Sequence, residues 1–470
     1  MENFWDYSVW GSVNLVAVLL VSLLAANVLR KSIPFLRNSL IPSSVLGGGL
    51  LIAAAGIYRL CTGELLFDAL FFGGSGASVL ELITYHCLAL GFIASAFKPS
   101  KGKLSGKRAA EIFNTGVTTV STYLLQGVFG LGISIAAALV LKNFFPAAGI
   151  LLPFGYGQGT GQALNYGSIF ETDYGFVGGK SFGLTVAALG FLSASIGGVI
   201  HLNILKRRGR IKPADKGEAA LRSEQIQSDN EIPMQESMDK MTVQFALIFG
   251  SYLLAYLLMF GLSRLLPGMR SVIYGFNFLL GVLCAALVKL VLAWLKRKRV
   301  IRKEYANTFL MTRASNFFFD MMVVAGIAAI RFSVLQNNWG VILIMGLVGL
   351  VVTYLYNRVV AKALFPDYPE EQFLMMYGML TGTASTGVIL LRELDGDFRT
   401  PAADNMVYQN FPAIVFGFPM MLLATLAPKR PVLTLIILAL FFAGMNLILF
   451  RSRIFRKKRK TDKRRQAAGC

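Results

Sequence analysis

Two short stretches gather most of the uncharged polar chemistry of this sequence, "YGQGTGQALN" at 156–165 and "YGMLTGTAST" at 377–386. From the tyrosine onward both carry Tyr, Gly, Thr, Gly and Ala at the same offsets. Glycine lets the backbone take positive φ and lets a ligand or a neighbouring helix come close. A helix interrupted at such a point presents free N–H groups at one new end, a natural anion site, and free carbonyls at the other. Carbonyls beside Thr and Ser hydroxyls supply the hard oxygen ligands that a sodium ion takes. Gln158 and Asn165 each donate and accept, which suits the carboxylate and ammonium of a zwitterion. The candidate substrate- and ion-binding residues are therefore Gly157, Gln158, Gly159, Thr160, Gly161 and Asn165 in the first stretch. In the second they are Gly378, Thr381, Gly382, Thr383, Ser385 and Thr386. Helix packing, or satisfying local backbone, is the competing role for each of them.

Two ionisable residues fall near the middle of long apolar runs, Asp320 in "NFFFDMMVVAG" and His86 in "LITYHCLAL". A carboxylate at that depth is a functional candidate, here for binding a cation or, with His86, for carrying a proton. The competing role is a buried polar pair that fixes helix contacts. Arg313, at the edge of the same run as Asp320, reads as an interfacial side chain. Other chemistry is missing from the pattern. There are two histidines in all, four cysteines far apart, no Walker-type glycine loop and no nucleophile–base arrangement. The sequence therefore predicts neither an enzyme nor a metal cluster.

The elements that must position these residues belong to a membrane protein. The 470 residues are 55% hydrophobic and 15% charged, well below the quarter charged of a soluble domain. Runs of about twenty apolar residues, the length that crosses a hydrocarbon core as a helix, recur throughout. They lie at 8–29, 41–60, 79–97, 111–141, 181–205, 243–264, 272–295, 311–332, 340–364, 408–427 and 431–450. With an outside N-terminus, most of the 46 Lys and Arg fall on cytoplasmic loops and in the cytoplasmic basic tail. That accounts for the net charge of +21 without nucleic acid and directs the tail to anionic lipid headgroups. The opening "MENFWDYSVW" has no basic residue before its apolar run, unlike a signal peptide.

Residues 147–168 and 372–394 are too polar to cross alone, and each follows the fourth helix of a five-helix set. The first set starts outside and the second inside. Irregular backbone at membrane depth is tolerated only around protein or a wet cavity. The predicted fold is thus an all-α polytopic membrane protein with two inverted five-helix repeats, each with a re-entrant hairpin, plus one extra C-terminal transmembrane helix. Its parts are residues 1–205 with hairpin 147–168, a cytoplasmic linker at 206–240, residues 241–427 with hairpin 372–394, and 428–470. Inverted repeats with paired, glycine-interrupted segments point to a secondary transporter with its site at the repeat interface.

"GYGQGTGQALNYGSIFETDYGF" (155–176) resembles the first re-entrant motif of the bacterial sodium/glutamate symporter family, and "IPSSVLGGGL" (41–50) resembles that family's stretch after its first helix. The likeness extends over about residues 8–427. It implies sodium-coupled uptake of glutamate or a related small amino or organic acid across the bacterial inner membrane. It also implies a homodimer working by alternating access with an elevator-like movement. Three features depart from the family. Gln158 stands where His is common, "YGMLTGT" replaces a Gly-Phe-Gly-Leu-Gly hairpin, and the helix at 431–450 is additional. The departures leave other carriers open, including a proton-coupled carrier of another carboxylate through Asp320 and His86. A channel or ligand-sensing module using the same cavity is the alternative from a different class.

Overall fold

The computed structural model describes residues 3–38, 40–97, 106–209, 230–233, 238–267, 270–331, 338–395 and 399–451. Most of the expected linker, and the basic tail from 452, lie outside the described residues. Among those described, regular structure is helical apart from one isolated bridge between Glu231 and Glu304.

The helices are α1 Tyr7–Ser32, α2 Pro34–Asn38, α3 Ser43–Thr62, α4 Gly76–Ala96, α5 Gly106–Val140, α6 Leu151–Gln158, α7 Thr160–Tyr174, α8 Gly179–Arg207 and α9 Lys240–Leu265. They continue as α10 Arg270–Gly275, α11 Asn277–Arg297, α12 Thr308–Ala328, α13 Trp339–Leu364, α14 Pro369–Thr381, α15 Ala384–Arg392, α16 Ala402–Tyr408, α17 Asn410–Leu426 and α18 Pro431–Leu449. Nine of the described helices, α1, α3, α4, α5, α8, α9, α11, α13 and α18, are long and apolar enough to cross a bilayer. The chain is an all-helical, multi-pass membrane protein.

Two of the eleven predicted spans do not meet that standard, for local reasons. The 311–332 span forms α12, but Arg313, Asn316 and Asp320 dilute its apolar character. The 408–427 span is divided between the short α16 and a seventeen-residue α17 with Pro419 inside it. Helix ends follow the expected chemistry. Asp239 caps α9 by accepting from the Met241 and Thr242 N–H groups, and Asn307 caps α12 through the Leu310 N–H. Arg30 and Lys31 sit in the last turn of α1, where the helix dipole favours cations.

The chain divides into two compact units. The first comprises Met1–Gly102, Gly159–Ala188 and Lys212–Asn337, and the second Lys103–Gln158, Leu189–Ile211 and Asn338–Cys470. Each unit therefore draws on both halves of the sequence. In the first, α4 packs along α12, and small residues permit the close approach. Phe319 lies over Gly91, and Ser315 donates to the Gly91 carbonyl at 3.0 Å. The Ser95 and Ser315 hydroxyls are 2.7 Å apart. Lys289, an ionisable residue inside a predicted span, reaches the Ala96 carbonyl at 2.9 Å and so caps the carboxyl end of α4.

In the second unit α5 is the central helix, packed on by α6, α13, α17 and α18. The face it turns inward is polar: Thr115, Thr118, Thr119, Ser121, Thr122 and Gln126 are all buried. Four of its threonines, Thr115, Thr118, Thr119 and Thr122, bond back to the carbonyl four residues earlier, which spares them a separate partner. The C-terminal α18 lies against α5, and its Asn446 accepts from the Tyr356 hydroxyl of α13 at 2.9 Å.

Candidate functional site

Each glycine-laced stretch is two helices with a break between them. In the first stretch α6 ends at Gln158 and α7 begins at Thr160. Gly159 joins them at φ 80° and ψ −171°, a conformation essentially reserved for glycine. In the second, α14 ends at Thr381 and α15 begins at Ala384, with Gly382 and Thr383 between. Here the turn is held by side chains: Thr383 Oγ accepts from the Thr386 N–H and Thr386 Oγ accepts from the Thr383 N–H, both at 3.4 Å. Helices α14 and α15 then fold back against one another. A Cβ on Gly378 would come within 2.8 Å of the Gly387 Cα, so only bare backbone fits at this crossing.

The carboxyl ends of α6 and α14 come together in the second unit, and neighbouring residues of α5 hold both. Tyr123 donates its hydroxyl to the Gly157 carbonyl at 3.1 Å. Gln126, fully buried, donates its amide to the Leu380 carbonyl at 2.9 Å and to the Thr353 hydroxyl at 2.8 Å. Its own oxygen has no hydrogen-bond partner among the described residues, and a Cβ on Gly157 would stand 3.3 Å from it. Gly190 of α8 sits between the two ends, since a Cβ there would meet the Thr381 carbonyl at 2.5 Å and the Tyr156 Cα at 3.2 Å. Two tyrosines complete the frame. Tyr156 donates to the Gly346 carbonyl at 2.6 Å, and Tyr377 to the Ser193 carbonyl at 2.7 Å. Thr381 Oγ bonds the Tyr377 carbonyl at 2.6 Å, within the last turn of α14.

This arrangement is electronegative without a carboxylate. Two helix carboxyl ends, each carrying about half a negative charge, meet beside an orphaned amide oxygen. A desolvated acceptor left in that state costs about 1–3 kcal/mol, and a cation or an ordered water would relieve it.

Of the residues predicted from the sequence, Gly157, Gln158, Gly378, Thr381, Gly382, Thr383 and Thr386 belong to the second unit. The side chain of Ser385 lies outside the described residues. Gly159, Thr160, Gly161 and Asn165 belong to the first unit, where three of them have packing neighbours. Thr160 faces Gly326 and bonds the Met322 carbonyl at 3.4 Å, Gly161 abuts Leu88, and Asn165 donates to the Gly275 carbonyl. His86 and Asp320 also belong to the first unit, with different partners: His86 Nδ1 meets the Tyr252 hydroxyl at 2.7 Å, and Asp320 lies beside the Ser44 hydroxyl. Arg313 stacks on Phe309.

Sequence reasoning missed Tyr123, Gln126 and a cluster of buried His201 and Glu370 with half-buried Tyr354 and Arg358. The signal for the cluster was present. An ionisable residue inside an apolar run singled out His86 and Asp320, and the same test applies to His201 and Arg358. The loop after α15 holds a buried carboxylate, Asp395. Burial alone would raise its pKa. Bonds from the Thr400 hydroxyl and from the Thr400 and Arg399 N–H groups outweigh that and hold it below the usual carboxylate range. No family model matches this chain, and no curated protein matches it either.

Proposed function

We propose that this protein is a secondary active carrier that takes up glutamate or a related small amino or organic acid together with sodium, by alternating access. The observation that carries the reading is the meeting of the α6 and α14 carboxyl ends at Tyr123 and Gln126 of one helix. Broken helices that expose backbone at membrane depth are the usual makings of an ion and substrate site. Sodium suits the acceptor oxygens at these ends, Gln126 Oε1 among them. The cargo's carboxylate suits backbone N–H groups at a helix amino end. Both stretches are re-entrant in this reading, the two halves are inverted repeats, and the N-terminus lies outside with the basic loops in the cytoplasm. The homodimer and the elevator-like movement implied by the resemblance belong to the same proposal.

Mutual strengthening of two ligands is what coupled binding demands. Purified protein should be stabilised against heat more by an amino or dicarboxylic acid in sodium than in potassium. Proteoliposomes should accumulate that acid down an inward sodium gradient. Ligands that stabilise equally in both salts, with uptake indifferent to sodium, would sink the proposal.

A further inference from the structure

We propose that His201 is a proton-binding site, formed with Glu370, Arg358 and Tyr354 at the start of the hairpin made by α14 and α15. All four residues lie in the second unit. His201 is 2% exposed. Its Nε2 is 2.9 Å from Glu370 Oε2, and its Nδ1 is 2.8 Å from the Tyr354 hydroxyl. Arg358 grips the same carboxylate with both terminal nitrogens, Nη2 at 2.7 Å from Oε1 and Nη1 on Oε2.

The bonding fixes the resting state. A carboxylate that accepts two guanidinium bonds is ionised and can only accept. Nε2 therefore carries the hydrogen, and Nδ1 accepts from the tyrosine hydroxyl. An arriving proton adds to Nδ1. The Tyr354 O–H then rotates, and its oxygen accepts where it had donated. The two ring contacts survive in both states, and the cluster passes from net zero to one positive charge. A rotatable hydroxyl on one nitrogen and an ionised acid on the other is what a reversible proton site needs. His86, by contrast, meets the Tyr252 hydroxyl.

The surroundings set the balance. Arg358 and Lys362 bring positive charge near the ring, and Glu370 negative. Arg208 lies near Tyr354, and Glu371 near Glu370. Phe373 offers its ring face to His201 at 4.4 Å and to Arg358 at 5.5 Å, a surface that favours either cation. The protonated ring competes with Arg358 for Glu370, in the first turn of the helix whose far end reaches Gln126. A consequence follows that rests on the carrier reading: proton occupancy at His201 is linked to cargo binding at the other end of α14.

Two histidines make the test direct. Protein labelled with ring-15N histidine gives two sets of ring signals, which His86→Gln assigns. On lowering the pH from 8.5 to 5, the His201 ring should change from the neutral Nε2–H form to the doubly protonated form. Glu370→Gln should lower its midpoint by about one unit or more, Arg358→Gln should raise it, and Tyr354→Phe should lower it. A native ring that stays neutral to pH 5 overturns the site. Uptake between pH 5 and 8.5 tests the link: His201→Gln should flatten its pH profile, and an unchanged profile overturns the link. A titrating ring in a protein that transports nothing would remove the carrier reading and leave the proton site standing.

Discussion

The two interrupted stretches share a sequence pattern and reach it by different physics. The break at 159 depends on backbone: one glycine takes a conformation closed to other residues, and no side-chain cap steadies the new helix. The break at 382–383 depends on side chains: Thr383 and Thr386 cap each other's backbone, and α14 and α15 lie together within one unit. At the first break the partition between the two units falls on the peptide between Gln158 and Gly159. Similar letters thus encode a glycine-dependent break in one place and a capped hairpin in the other.

The largest effect should come from testing the backbone joint. Gly159→Ala would force alanine into a glycine-only conformation, at a cost of about 2–3 kcal/mol, read as a fall in thermal stability together with lost uptake. If Gly159→Ala matched the native protein in both, the contrast between the breaks would disappear. Next comes the hold of α5 on the two breaks. Gln126→Leu strips the Leu380 carbonyl and the Thr353 hydroxyl of their donor, for about 2 kcal/mol. Tyr123→Phe, which removes one longer bond to Gly157, should cost about half as much. Thr383→Ala should cost about 1 kcal/mol through the lost cap, with Thr383→Ser close to the native protein. A Thr383→Ala loss exceeding that of Gly159→Ala would invert the comparison.

The smallest effect lies in the loop that follows the hairpin. Asp395 has a folded-state pKa below its unfolded value near 3.9. Its contribution is therefore complete above that unfolded value and disappears as pH falls through the lower, folded one. Asp395→Asn should lose stability at pH 7 and show a shallower acid limb below about pH 4. Thermal melts across pH 2.5–7 would detect it.

The legible part of the fold was what apolar length alone specifies. Runs of twenty apolar residues gave nine of the described helices directly. The polar α12 and the proline-bearing α17 were placed as helices but fall short as simple spans, because Arg313, Asp320 and Pro419 work against the pattern. The breaks were legible too, since glycine spacing marks them. What holds the breaks was not. Tyr123 and Gln126 are isolated residues in an otherwise ordinary helix, and their meaning comes from Gly157 and Leu380, which lie 34 and 254 positions away. The His201 cluster joins residues 153 to 169 positions apart, a pairing that no local periodicity reveals.

Tyr123 and Gln126 stand three residues apart on α5, so about 4.5 Å of helix rise separates the two anchor points. That rise works as a ruler. Tilting or sliding α5 carries both anchored ends as a gang, and the span between them stays nearly constant. The two breaks are thereby tied to one another at a fixed spacing along α5.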